Sequence, residues 1–130
     1  AALADGTIDV LCSAHDPRGP EDKRLPVADA APGMAGAETL LALGLGLVRD
    51  GVISLARLFA MLAANPARLL GVEAGTLAVG AEADLILVDP DTPWQVDTRR
   101  MSARAGNTPF DGLPVQGRVR AMWKGGRRLD

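Results

Sequence analysis

The sequence predicts an α/β chain in two parts, and three observations predict it. A single β-branched apolar run, "TIDVLCS" at 7–13, leads into a long polar stretch. Two segments with helical apolar spacing follow. Beyond Gly71 that spacing gives way to glycines and short apolar runs of strand character. A lone strand cannot form a sheet, so the first part reads as the last βα unit of an α/β barrel, not as a whole domain. The expected division is residues 1–72 and 73–130, with the change of texture between Gly71 and Gly75.

Each element has its own warrant. "AALADG" reads as the last turn of a helix closing at Gly6, and with no Met ahead of it the chain is expected to begin inside a larger fold. The run 7–13 suits a parallel strand covered on both faces. From Ala14 to Pro32 come four prolines and seven charged residues, a long loop at the C-terminal end of that strand, where α/β folds carry their chemistry. Residues 33–50 are helical in pattern after the first residues, through Leu40, Leu43, Leu47 and Leu41, Leu45, Val48, with Gly51 to close the helix. Gly44 and Gly46 weaken this helix unless another backbone packs close. Ser54 is a good N-cap for the next helix, with the stripe Leu55, Leu58, Phe59, Leu62. Asn65-Pro66 is expected to stop that helix and start a short one ending at Gly71. In the β-rich part, Leu85 to Val88 is one strand, and "RVRAMWKGGRRL" reads as two strands around a Gly125-Gly126 turn.

Composition narrows the function. The 130 residues are 48% hydrophobic but include only two Trp, two Phe and no Tyr, so no stacking surface for single-stranded nucleic acid is expected. A net charge of −2 with mixed signs gives no general footprint for nucleic acid or an anionic membrane. The longest apolar stretch, nine residues from Leu40 to Val48, is about half of the roughly 20 that span a bilayer. The N-terminus has no signal-peptide pattern. One cysteine, Cys12, and no CxxC pair point to a reducing, cytoplasmic setting, with Cys12 a small buried hydrophobe.

Several segments resemble one family. "GTLAVGAEADLILVDPD" is similar to the segment by which amidohydrolase-superfamily enzymes return from a metal-dependent (β/α)8 barrel to a small β-sandwich. "IDVLCSAHDPRGPEDK", "GMAGAETLL", "ISLARLFAMLAANPARLLGV", "NTPFDG" and "GRVRAMWKGGR" resemble the C-terminal third of the dihydroorotases within it. The resemblance implies a zinc hydrolase that interconverts dihydroorotate and N-carbamoyl-L-aspartate in pyrimidine biosynthesis. It implies zinc as cofactor, with most ligands on earlier strands. The chain has one histidine, so by itself it is not expected to assemble the metal cage or to be active. The remainder of the barrel, or another copy of the chain, is the expected partner.

The family's signature here is Ser/Thr-Asp-x-Ala-Pro-His, four residues, then Lys. In Ser13-Ala14-His15-Asp16-Pro17-Arg18 and Lys23 the serine, proline and lysine keep register, but the catalytic, metal-binding aspartate falls on Ala14 and the substrate-contacting histidine on Arg18. Two accounts follow. In one, Asp16 supplies the carboxylate: on an extended strand it shares a face with Ala14, about 6.5 to 7 Å further out, and a bulge would bring it to the metal. Arg18 then binds the substrate carboxylate through its guanidinium. In the other, the polypeptide is an inactive dihydroorotase-like subunit, for example beside aspartate carbamoyltransferase. A related allantoinase- or hydantoinase-type hydrolase is a third possibility. The resemblance also assigns Pro32 and Gly33 to substrate contact. His15 is expected on the opposite strand face from Asp16, as a satisfied histidine and not a ligand. Glu21, Asp22, Lys23 and Arg24 are expected to form a solvated charged patch, with loop pinning by Lys23, at the family's lysine position, as the alternative. Glu38 and Thr39 are expected to form a buried polar pair fastening helix to loop, and residues 107–110 to pack the tail against the barrel.

Overall fold

A computed structural model describes residues 2–129. Helix α1 (Ala2–Asp5) closes at Gly6 as expected. The short α2 (Pro20–Lys23) lies within the long loop. Helix α3 spans Leu40–Arg49, and α4 (Leu55–Phe59) runs through a π-helical turn (Ala60–Ala64) into α5 (Asn65–Leu70). Strands β1 (Leu85–Gln95), β2 (Pro114–Lys124) and β3 (Arg127–Leu129) form one antiparallel sheet in the order β1-β2-β3. The described residues thus form a small α/β unit with a single three-stranded sheet.

The local signals behave as their chemistry dictates. Ser54 Oγ accepts from Arg57 N–H at 3.1 Å and caps α4. Helix α3 ends in a Schellman motif: Gly51 has φ 68°, its N–H reaches the Val48 carbonyl, and Val52 N–H reaches Leu47. Gly125 and Gly126, at φ 55° and 77°, make the β2–β3 turn. The core is built from Leu45, Ile53, Leu58 and Met61, with Leu3, Leu11 and Val88 against it, so helices and sheet share one apolar centre.

Several expectations are corrected. Residues 7–13 are not a strand; a single parallel bridge, His15 to Met34, is all that survives, because among the described residues no strand flanks the run. Cys12 on that run is exposed, not buried, for the same reason. Helix α3 starts after the first residues of its segment, as expected, and only at Leu40: Gly33 at φ 114° and the bridge at Met34 hold residues 33–39 elsewhere. Gly44 faces the side chain of Leu58, not a backbone: an added Cβ would lie 2.6 Å from Leu58 Cδ1. The close approach of helix to sheet occurs at Gly117 of β2, where a Cβ would collide with Leu45.

Pro66 opens the short helix α5, which ends at Gly71 as expected, but the preceding helix does not stop before it: it runs on through the π turn. Asn65 N–H bonds to the Ala60 carbonyl, five residues back, and Pro66 has no N–H to offer the Met61 carbonyl. That carbonyl accepts instead from Leu11 N–H at 3.2 Å, while Asn65 Nδ2 donates to the Asp9 carbonyl at 2.7 Å. The π turn therefore fastens residues 9–11, the approach to the polar loop, onto the helix.

Candidate functional site

Ala14 sets the site's geometry. Its φ of 45° is the only positive value outside glycine among the described residues, and it breaks the extended alternation on which the Ala14-Asp16 face relation depends. The left-handed residue acts as a bulge and re-aims the next two side chains.

His15 then turns toward the start of α3. The backbone N–H groups of Gly36 and Ala37 both donate to its Nδ1, each at 3.2 Å, so the neutral ring carries its proton on Nε2. It is a bonded histidine, as expected, although it is exposed. Asp16 N–H donates to the Met34 carbonyl at 2.9 Å, laying the loop beside residues 32–34.

Arg18 ties the cluster together. Its Nη2 donates to Asp16 Oδ2 at 2.7 Å and its Nε to the Pro32 carbonyl at 3.1 Å. Both side chains are partly exposed, so the ion pair itself contributes at most about 1 kcal/mol and weakens with salt. Its importance is directional, since it fixes where a guanidinium and a carboxylate point. Gly33 is required beside them: at φ 114°, a Cβ there would lie 2.8 Å from Asp16 Oδ2. Asp16, Arg18, Pro32 and Gly33, all assigned to the site by the family resemblance, are thus brought together.

Asn107 completes the cluster. Its Oδ1 accepts from Arg18 N–H at 2.7 Å, its Nδ2 donates to the Gly33 carbonyl at 2.9 Å, and its own carbonyl accepts from Ala35 N–H at 2.7 Å. Tail packing was expected of residues 107–110; the structure shows that the tail packs on the site loop itself. The signal available in the sequence was an Asn, with a donor and an acceptor on one planar group, in a Gly-Asn-Thr-Pro turn.

Glu21, Asp22 and Arg24 are exposed as a solvated patch, but Lys23 is half-buried and takes the alternative role, pinning the loop by donating to the Ala31 carbonyl at 2.6 Å. Thr39 is buried and its hydroxyl donates to the Gly36 carbonyl. Glu38, by contrast, is exposed and accepts from Ser102 N–H at 2.8 Å, so it fastens the tail and is no partner of Thr39 in a buried pair.

The carbonyls of Pro32 and Gly33 are both engaged; the Gly33 N–H, on a Cα packed against Asp16, is not hydrogen-bonded among the described residues. The cluster offers a guanidinium for an anionic group, one carboxylate for proton transfer and one amide donor. Among the described residues no group of three His, Cys, Asp or Glu side chains could hold a metal ion. One carboxylate paired with arginine and one imidazole with Nδ1 occupied do not by themselves fit zinc.

Comparison with known proteins gives a consistent relationship. The amidohydrolase family model matches residues 1–129. The chain is 41% identical over 119 residues to a dihydroorotase of Geobacter sp. (strain M21), covering 92% of this chain and 28% of that protein. It is 40% identical over 126 residues to a dihydroorotase of Geobacter metallireducens, covering 97% and 30%. Among solved structures, L-hydantoinase from Arthrobacter aurescens superimposes with a TM-score of 0.91 at 36% identity, covering 98% of this chain and 30% of that one. Dihydropyrimidinase from Brevibacillus agri gives 0.92 at 27% identity, covering 98% and 29%. The chain spans less than a third of the length of these relatives.

Proposed function

The chain belongs to the amidohydrolase family, and on that premise we propose that the complete polypeptide is a cyclic amide hydrolase of the dihydroorotase type, interconverting dihydroorotate and N-carbamoyl-L-aspartate in pyrimidine biosynthesis. The 40–41% identity to dihydroorotases over most of the chain supports this substrate over hydantoins. In this reading residues 1–72 are the last strand, loop and helices of a (β/α)8 barrel, and residues 73–130 belong to its β-sandwich. The rest of that barrel, or a second copy, covers the apolar surface exposed at Ile86, Leu87, Val119 and Met122. The polypeptide acts in the cytoplasm. Among the described residues no helix is long and apolar enough to cross a membrane. Zinc, if bound, takes most of its ligands from outside this chain and would polarise the amide carbonyl.

The observation that carries the reading is the Asp16-Arg18-Gly33-Asn107 cluster. Arg18 binds the substrate carboxylate, and the Gly33 N–H orients the ring. As that carboxylate takes over the guanidinium, Asp16 is released from it. Asp16 then accepts the proton of the attacking water as the new C–O bond forms, and returns it to the ring nitrogen as the C–N bond breaks. The test is turnover by the complete, zinc-supplemented polypeptide of dihydroorotate against hydantoin and allantoin, with dihydroorotate expected to give the highest kcat/KM.

A second reading rests on a different observation. Position 14 carries a methyl group on a left-handed backbone, and Asp16 is already paired. On that ground the polypeptide is an inactive dihydroorotase-like subunit that partners aspartate carbamoyltransferase. A folded complete polypeptide without turnover selects this reading.

A further inference from the structure

A cavity adjoins the cluster and is bordered by its Arg18 and Asn107. It has a volume of about 350 Å³ and is lined by Arg18, Lys23, Thr98, Arg99, Arg104 and Asn107 among others, with no carboxylate in its wall. The concentration of charge is notable because the whole chain has 14 Lys and Arg against 16 Asp and Glu. Two of the four cations are already matched: Arg18 by Asp16 and Arg99 by Asp97. Lys23 and Arg104 have no carboxylate within ion-pair distance among the described residues, so the cavity presents two uncompensated positive charges.

Part of the wall is held before any ligand arrives. Lys23 is held by the Ala31 carbonyl and Arg99 by both oxygens of Asp97. A Cβ on Gly106 would lie 3.0 Å from Thr98 Cβ, so the two sides of the tail loop are in contact. Asn107 binds the Arg18 backbone across the floor. The held side chains of Lys23 and Arg99 have less entropy to lose on binding a compact anion, whereas Arg104 is exposed and must be ordered by the anion itself.

We propose that this cavity is a binding site for a phosphoryl dianion, with Arg104 and Lys23 as its charge partners and Thr98 as a hydroxyl donor. A phosphoryl group matches two positive charges in one tetrahedral unit and accepts from several donors at once. The site is separate from the amide-hydrolysis cluster, sharing only Arg18 and Asn107 with it, and does not depend on that reading.

Isothermal titration of the complete polypeptide with inorganic phosphate, and separately with adenosine 5′-monophosphate, at constant ionic strength in chloride, tests it. Saturable one-site binding is expected, weakened about tenfold by Arg104→Ala and largely kept by Arg104→Lys. Tighter binding of the nucleotide would identify an esterified phosphoryl group as the ligand, and equal or tighter binding of phosphate the free ion. Arg127→Ala with Arg128→Ala, on exposed β3, should leave the affinity unchanged. Lack of saturation, or equal weakening by the β3 substitutions, would overturn the proposal, because only diffuse electrostatics would then remain.

Discussion

Asn107 and Gly33, 74 residues apart in the chain, are joined by a 2.9 Å hydrogen bond from Asn107 Nδ2 to the Gly33 carbonyl. The same side chain accepts from Arg18 N–H, so one planar amide holds both walls of the candidate site. Asn107→Ala leaves a half-buried donor and acceptor unpaired. It should cost about 1–3 kcal/mol of stability and raise KM for dihydroorotate. Denaturant unfolding and steady-state kinetics of the complete polypeptide check both; unchanged values in each would remove Asn107 from the site.

Gly33→Ala should be worse than an ordinary loop substitution. The backbone at φ 114° is strained for any side chain, and the Cβ meets Asp16. A loss of about 1–3 kcal/mol from the backbone alone is expected, with Asp16 displaced from Arg18. The same unfolding measurement reads it, and a loss under half of that range would mean that the loop relaxes freely.

Gly44 and Gly46 lie one turn-half apart on α3 and should respond with opposite signs. Gly46→Ala meets nothing within 4 Å and should stabilise the helix by up to about 1 kcal/mol. Gly44→Ala forces a Cβ against Leu58, and overpacking of about 1–3 kcal/mol should outweigh the same helical gain. Urea midpoints of the two variants decide it.

Acid should loosen the sheet first. Arg120 beside Asp89, with the Thr92 hydroxyl and the Asp91 N–H, holds the Asp89 carboxyl well below its ordinary 3.8. Lys124 and the Gly125 N–H lower Asp84 in the same direction. A depressed folded value means that the stabilisation is complete above the ordinary carboxylate range and is lost as pH falls through it. The unfolding midpoint should therefore fall between about pH 5 and 2, and Asp89→Asn should flatten that dependence. A pH profile identical to that of the unsubstituted protein would exclude Asp89 as a contributor.

What the sequence made legible was chemistry that acts within a turn or two. The Ser54 cap, the Gly51 stop and the paired glycines at 125 and 126 each depend on neighbours a few residues away, and each formed as expected. The run 7–13 misled because a strand is a pairing and not a property of one segment. Ala14 gave no warning of its left-handed backbone, since alanine rarely adopts it. Pro66 was legible as the opening of a short helix; the π turn that joins it to the preceding one needed the Leu11 N–H from across the fold. At the site, motif register gathered Asp16, Arg18, Pro32 and Gly33, but the role of Asn107 depends on contacts 74 and 89 residues away in sequence.

The most direct measurement is dihydroorotate turnover by the complete, zinc-supplemented polypeptide, with and without Asp16→Ala, both shown to be folded. If the loop supplies the proton-transfer carboxylate, the unsubstituted protein turns over well above background and the variant loses about 10²- to 10⁴-fold in kcat. Equal turnover in the two, or none in a folded unsubstituted protein, would contradict the assignment of Asp16.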